Sequence, residues 1–156
     1  MLVAFVLTLT IPTITAQSAD SWPMFHYDSA HTGSTNSAAP LTKQMLWNYT
    51  TGVGVRFAAV EGSPAVAGGV VYVGSNDGKV YALDAFGGSP LWNFTTGGPV
   101  SSSLAIFKDT VFVSSNDRKL YALDAQTGNI VWNYTVGSAL SSPSVSNGIV
   151  YVGARN

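Results

Sequence analysis

The sequence predicts an all-β fold, a β-propeller of four-stranded antiparallel blades. Three observations carry the prediction. The same sentence is written twice, "YALDAFGGSPLWNFT" from Tyr81 to Thr95 and "YALDAQTGNIVWNYT" from Tyr121 to Thr135. A shorter phrase occurs three times, as "LWNYTTG" from Leu46, "LWNFTTG" from Leu91 and "VWNYTVG" from Val131. Its tryptophans, Trp47, Trp92 and Trp132, stand roughly forty residues apart, a period that several short strands would fill as one propeller blade. Finally, the repeat is rich in Val, Tyr, Phe, Trp and Thr, which favour strands, and Gly and Pro interrupt it too often for a helical apolar period.

The chain begins with "MLVAFVLTLTIPTITA", residues 1–16, an apolar run of signal-peptide length with candidate cleavage points after Ala16 and Ala19. Lys and Arg are missing ahead of it, which departs from the usual signal pattern. The run is short and interrupted for a spanning helix, which needs about 20 apolar residues. Export is therefore the expectation, to a secreted, cell-surface or periplasmic location, with a retained anchor as the alternative. Residues 17–43 form a lead-in, in which Trp22 and Phe25 are expected to pack on the propeller. His26, Asp28 and His31 share this stretch, but two histidines and one aspartate at such spacing are a weak metal pattern.

Residues 44–156 hold the repeats. Trp47 lies on an outer strand with no other strands of its blade before it. Two full blades follow, over about 55–95 and 99–135, and part of another over 138–156. Within a blade, strand A is "GSPAVA" or "SSPSVS", strand B "VVYVGS", strand C "KVYALDA" and strand D "PLWNFTT". Gly68–Gly69 and Asn147–Gly148 suit tight A–B hairpins, since these residues accept positive φ. Asn76–Gly78 make the B–C turn. Arg118 replaces the glycine in the next blade, so that turn must differ or carry strain. Asp124 and Gly128 serve the C–D turn. A closed ring needs at least four blades. The chain is thus expected to be a fragment of a longer protein of seven or eight blades, whose remaining blades would be its first partners.

Composition narrows the function. Only 10% of residues are charged, the net charge is −1 and no basic cluster exists, so nothing recommends nucleic acid as a partner. Cysteine is absent, which excludes disulfides, thiolate metal sites, a Cys nucleophile and a lipid-anchored Cys. Ser-rich runs such as "PVSSSLA" lack a nucleophile elbow and a repeated His, and fit small residues on a crowded inner strand.

The pattern A-x-D-x-x-T-G-x-x-x-W resembles the tryptophan-docking motif of pyrroloquinoline-quinone (PQQ) propeller repeats. Ala122, Asp124, Thr127, Gly128 and Trp132 fit it fully; Ala82, Asp84, Gly88 and Trp92 fit with Gly87 where Thr is expected. The resemblance implies that the motif is structural, with each Trp packed against the neighbouring blade. Burial of the indole also requires an acceptor for its N–H, which a neighbouring turn can offer as a carbonyl. The resemblance further implies either a non-catalytic exported binding or scaffolding module, with no cofactor and a protein or glycan partner, or a PQQ-dependent quinoprotein dehydrogenase. The dehydrogenase would need PQQ and Ca²⁺ held by a convergence of acidic and amide groups. Here Asp84 and Asp124 belong to the docking turns, Asp77 and Asp117 to hairpins, and Glu61 stands in an insertion. The vicinal cysteine pair of many such enzymes is missing. The first reading is preferred. Asn48, Asn93 and Asn133 each open an N-x-T sequon at one repeat position, which marks them as candidate N-glycosylation acceptors.

Overall fold

The computed structural model describes residues 22–24, 44–52, 60–138 and 140–155. The apolar leader, Phe25, His26, Asp28 and His31 lie outside the described residues.

The described residues form ten strands and no helix. The first sheet is a meander of β1 (Ala65–Ala67), β2 (Val70–Gly74), β3 (Lys79–Asp84) and β4 (Pro90–Thr95). The second repeats it as β5 (Ala105–Phe107), β6 (Thr110–Ser115), β7 (Lys119–Asp124) and β8 (Ile130–Thr135). A two-stranded sheet pairs β9 (Ser144–Ser146) with β10 (Ile149–Tyr151). All pairings are antiparallel. Strand A is only three residues long and begins after Pro64 and after Pro143 in the first and third sheets. Residues 44–52, expected as an outer strand, have no ladder among the described residues.

The turns follow their chemistry. Gly68 and Gly69 have φ of +58° and +77°, and Asn147 and Gly148 have +51° and +78°. Arg118 adopts φ +74° where Gly78 has +86°, and both N–H groups reach the serine three residues back at 3.1 Å. The two turns have the same form, so the arginine carries the backbone strain that glycine avoids.

Register shifts at Ala82/Leu83 and at Ala122/Leu123 place a β-bulge at the same point of each C–D pair. Beyond the bulge, Ala82 faces Trp92 and Ala122 faces Trp132. A bulge re-aims the side chain that follows it, here the tryptophan.

The core consists of layers between successive sheets. One layer joins Val80, Ala82 and Tyr72 of the first sheet to Leu104, Val111 and Leu123 of the second, with Trp92 and Phe94 packed against it. A second joins Met24, Phe112 and Ala122 to Val145 of the third sheet. A third places Trp47 on Val73, Tyr81 and Leu83. The lead-in residues cross the innermost strands. Trp22 exchanges two backbone hydrogen bonds of 2.7 Å with Val66, and Pro23 O accepts from Ile106 N at 2.8 Å. Met24 bridges to Ala105.

Candidate functional site

The docking turns recur most faithfully, and their geometry explains each residue. Asp124 follows strand C and folds its carboxylate back over the turn. Its Oδ1 accepts from Gln126 N at 3.1 Å, Thr127 N at 2.8 Å and Thr127 Oγ1 at 2.7 Å. These bonds, the Thr127 hydroxyl foremost, hold the carboxyl below the usual carboxylate range. Gly128 closes the turn with φ +72° and donates to Asp124 O at 2.9 Å. The first copy keeps the plan: Asp84 Oδ1 accepts from Phe86 N at 3.1 Å and Gly87 N at 2.6 Å, and Gly88 has φ +70°. With Gly87 in place of threonine, the hydroxyl contact is missing from that turn.

Each turn receives the tryptophan of the preceding repeat. Trp92 Nε1 donates to Ala125 O at 2.9 Å, and Trp47 Nε1 donates to Ala85 O at 2.9 Å. The indoles lie on the turn glycines: a Cβ built on Gly128 would stand 2.5 Å from Trp92 Cε3, and one on Gly88 would stand 2.6 Å from Trp47 Cδ2. Tyr72 Oη also donates to Ala125 O, at 3.1 Å, with its ring 5.8 Å from that of Trp92. The motif that is continuous in sequence is therefore divided in space. Trp92 belongs with the Asp124 turn, and the Asp84 turn belongs with Trp47. Trp132 packs at 5.9 Å on Phe112, is 41% exposed, and its indole N–H has no acceptor among the described residues.

A second set of contacts at the opposite end of the strands escapes the sequence reading. Asp117 in the B–C turn accepts from Lys119 N at 3.0 Å through Oδ1, and from Tyr121 Oη and Gly97 N through Oδ2, the latter at 2.9 Å. Gly97 ends the outer strand of the preceding blade, so this carboxylate ties two blades. Asp77 accepts from Lys79 N at 3.0 Å and from Tyr81 Oη at 2.5 Å, while Gly52 N donates to Tyr81 Oη at 3.4 Å. Burial pushes the Asp117 carboxyl up, but Tyr121 and the N–H donors outweigh it and the net shift is downward. Burial first, and then the carboxylate partner, push Tyr81 and Tyr121 up to about 12. The legible signal was the repeated Asp-x-x-x-Tyr, with a glycine ending each preceding phrase.

The serines serve the backbone. Ser63 N donates to Ser103 Oγ at 2.9 Å, and Ser103 N donates to Ser142 Oγ at 3.0 Å, one step per blade. Ser102 Oγ donates to Ser114 O at 2.9 Å. Glu61 accepts from Asn76 Nδ2 at 2.8 Å, Ser101 Oγ donates to Asn76 Oδ1 at 3.1 Å, and Asn116 Nδ2 reaches Ser101 Oγ at 3.4 Å. Among the described residues no three of His, Cys, Asp and Glu converge as a metal would require. Asn48, Asn93 and Asn133 are all exposed.

Comparison with known proteins agrees with this architecture. The PQQ-repeat family model described as outer membrane protein assembly factor BamB matches residues 28–156. The BamB of Alkalilimnicola ehrlichii is 43% identical over 54 residues, 35% of this chain and 14% of that protein. The quinohaemoprotein alcohol dehydrogenase of Comamonas testosteroni superposes with a TM-score of 0.65 at 24% identity, over 90% of this chain and 24% of the other. BamB from Moraxella catarrhalis superposes with a TM-score of 0.50 at 24% identity, over 57% of this chain and 28% of the other. At such identity the structural likeness speaks for the fold alone, and the chain spans about a quarter or less of the relatives' length apart from that last case. With its blades, docking turns and family match taken together, the chain belongs to the PQQ-repeat β-propeller family of which the outer membrane protein assembly factor BamB is a member.

Proposed function

We propose that this chain is an exported, non-catalytic binding or scaffolding module that engages a protein partner. The observation that carries the reading is the use made of the acids. Asp77, Asp84, Asp117 and Asp124 all accept hydrogen bonds from their own turns, and Glu61 accepts from Asn76. Carboxylates committed to turn backbone stabilise the blades and are poorly placed to act as a base or to gather around a cation. A relative named as an outer membrane protein assembly factor, together with the apolar leader, supports export and a protein rather than a small-molecule ligand. Exposed apolar side chains at the third sheet and on β8, Trp132, Tyr134, Ile149 and Tyr151, offer contact area for such a partner.

The competing reading is a piece of a PQQ-dependent dehydrogenase, favoured by the superposition on a quinohaemoprotein alcohol dehydrogenase. Calorimetric titration of the full chain with PQQ and Ca²⁺ separates the two. No saturable heat is expected; tight, stoichiometric binding would overturn the scaffold reading. Export is tested by sequencing the mature N-terminus, expected to begin after Ala16 or Ala19.

A further inference from the structure

The three copies of the outer-strand phrase can be compared position by position, and packing accounts for only part of what they share. The tryptophans of the first two dock on turns. The following aromatics, Tyr49 and Phe94, lie 5.6 Å from the rings of Tyr81 and Tyr121. The glycines Gly52 and Gly97 abut carboxylates, where an added Cβ would come within 2.6 and 2.7 Å of Asp77 Oδ2 and Asp117 Oδ2. Exposed positions without such a contact have drifted: Met45, Pro90 and Ile130 occupy one, and Leu46, Leu91 and Val131 another. The innermost strands have drifted too, from Ala-Val-Ala to Ala-Ile-Phe to Ser-Val-Ser.

Two positions break this rule. Asn48, Asn93 and Asn133 are identical, as are Thr50, Thr95 and Thr135. All six side chains are exposed and none makes a side-chain hydrogen bond among the described residues. The fold does not need them, yet they persist where their neighbours changed. In β4 and β8 the strand alternation beyond the bulge puts Asn and the Thr two residues later on one face. The aromatic between them points to the other face, toward the next blade. The residue between them is Tyr or Phe, never Pro.

We propose that Asn48, Asn93 and Asn133 are N-glycosylation acceptors, so that the outer strands carry one oligosaccharide per repeat. The donor class is a polyprenyl-phosphate-linked or pyrophosphate-linked oligosaccharide, transferred by a membrane oligosaccharyltransferase. Asn Nδ2 forms a bond to the anomeric carbon, the bond from that carbon to phosphate breaks, the lipid phosphate leaves, and the amide gives up one proton. β4 and β8 are the terminal strands of their sheets, with unpaired backbone on one side. A sugar there leaves the docked tryptophan untouched and obstructs pairing with another chain's edge.

The proposal rests on the export reading. The test uses the full chain recovered from its own cells, fractionated, and mapped by glycopeptide mass spectrometry. Oligosaccharide is expected on all three asparagines of the exported protein. Asn93→Gln and Thr95→Ala should each remove one glycan mass, while Thr95→Ser should retain it. Exported protein with three unmodified asparagines overturns the glycosylation and leaves export standing. Protein found only in the cytoplasm overturns both.

Discussion

Gly128 and Gly148 have nearly the same left-handed backbone, with φ of +72° and +78°, but opposite surroundings. The first has the Trp92 ring over its Cα, whereas nothing lies within 4 Å of a Cβ built on the second. Gly148→Ala should therefore cost only the backbone penalty, about 1 kcal/mol. Gly128→Ala adds a clash with a docked ring and should cost about 2–4 kcal/mol in total. Urea unfolding of the two variants checks the difference, and equal losses would mean that the indole yields. Tyr121 and Asp117 set a second residue-scale expectation. The Tyr121 hydroxyl is pushed up to about 12 by burial and then by Asp117, above the 10.0 of a free tyrosine. Its contribution is thus complete below pH 10 and is lost as pH rises through 12. On the acid side Asp117 is held below its usual value, so its contribution is present above about pH 4 and is lost as pH falls through the depressed value. The latch needs a neutral tyrosine and a charged aspartate together. Unfolding midpoints across pH 9–12 should fall less steeply in Tyr121→Phe than in the parent, with Tyr81 and Tyr72, whose hydroxyls burial also raises, contributing to the slope that remains.

Between elements, stability is a matter of one blade meeting the next. Trp92 makes its hydrogen bond 33 residues along the chain and Trp47 makes its bond 38 residues along, each into the following repeat. Trp92→Phe should cost about 1–3 kcal/mol, because it removes an indole donor and much contact from a packed layer. Trp132→Phe, at an exposed indole without an acceptor among the described residues, should cost at most about 1 kcal/mol. Denaturation of the paired variants reads that contrast, and equal costs would show that Trp132 is docked too. The strands themselves are legible from composition because a hairpin is a local event: Gly68–Gly69 and Asn147–Gly148 announce their turns without help from distant residues. The need of each indole for an acceptor is legible as well. The particular acceptor is not, since a backbone carbonyl carries no side-chain signature, and the Ala125 carbonyl could not be told from its neighbours. The Asp117–Tyr121–Gly97 latch was hidden for a related reason. Asp117 has sufficient cause to sit in a turn, and only the three-dimensional meeting with Gly97 N reveals its second duty. Residues 44–52, expected as an outer strand without the rest of its blade, have no ladder among the described residues, because a strand needs a paired neighbour to form one.

At the scale of the whole molecule, the layers stack in sequence order, each sheet touching the sheets before and after it. Such an arrangement gives stability as a sum of nearest-neighbour terms. It also leaves apolar surface in water: Trp132, Tyr134, Ile149 and Tyr151 are exposed by 41%, 69%, 56% and 54%. Residues 20–156 expressed alone should therefore self-associate, and light scattering should show oligomers or aggregates at micromolar concentration. A monodisperse monomer that melts cooperatively would show that this surface tolerates water. The short crossing by Trp22, Pro23 and Met24 has a mechanical consequence. Three backbone hydrogen bonds, two exchanged between Trp22 and Val66 and one from Ile106 to Pro23, fasten this short segment to two blades at once. Tension applied between the ends must shear this clasp before it can reach the sheets. Each blade of about forty residues would then pay out roughly 130 Å of slack as it gives way. A pulling trace should show one small early rupture followed by evenly spaced larger ones, and a chain that starts at residue 25 should lack the first.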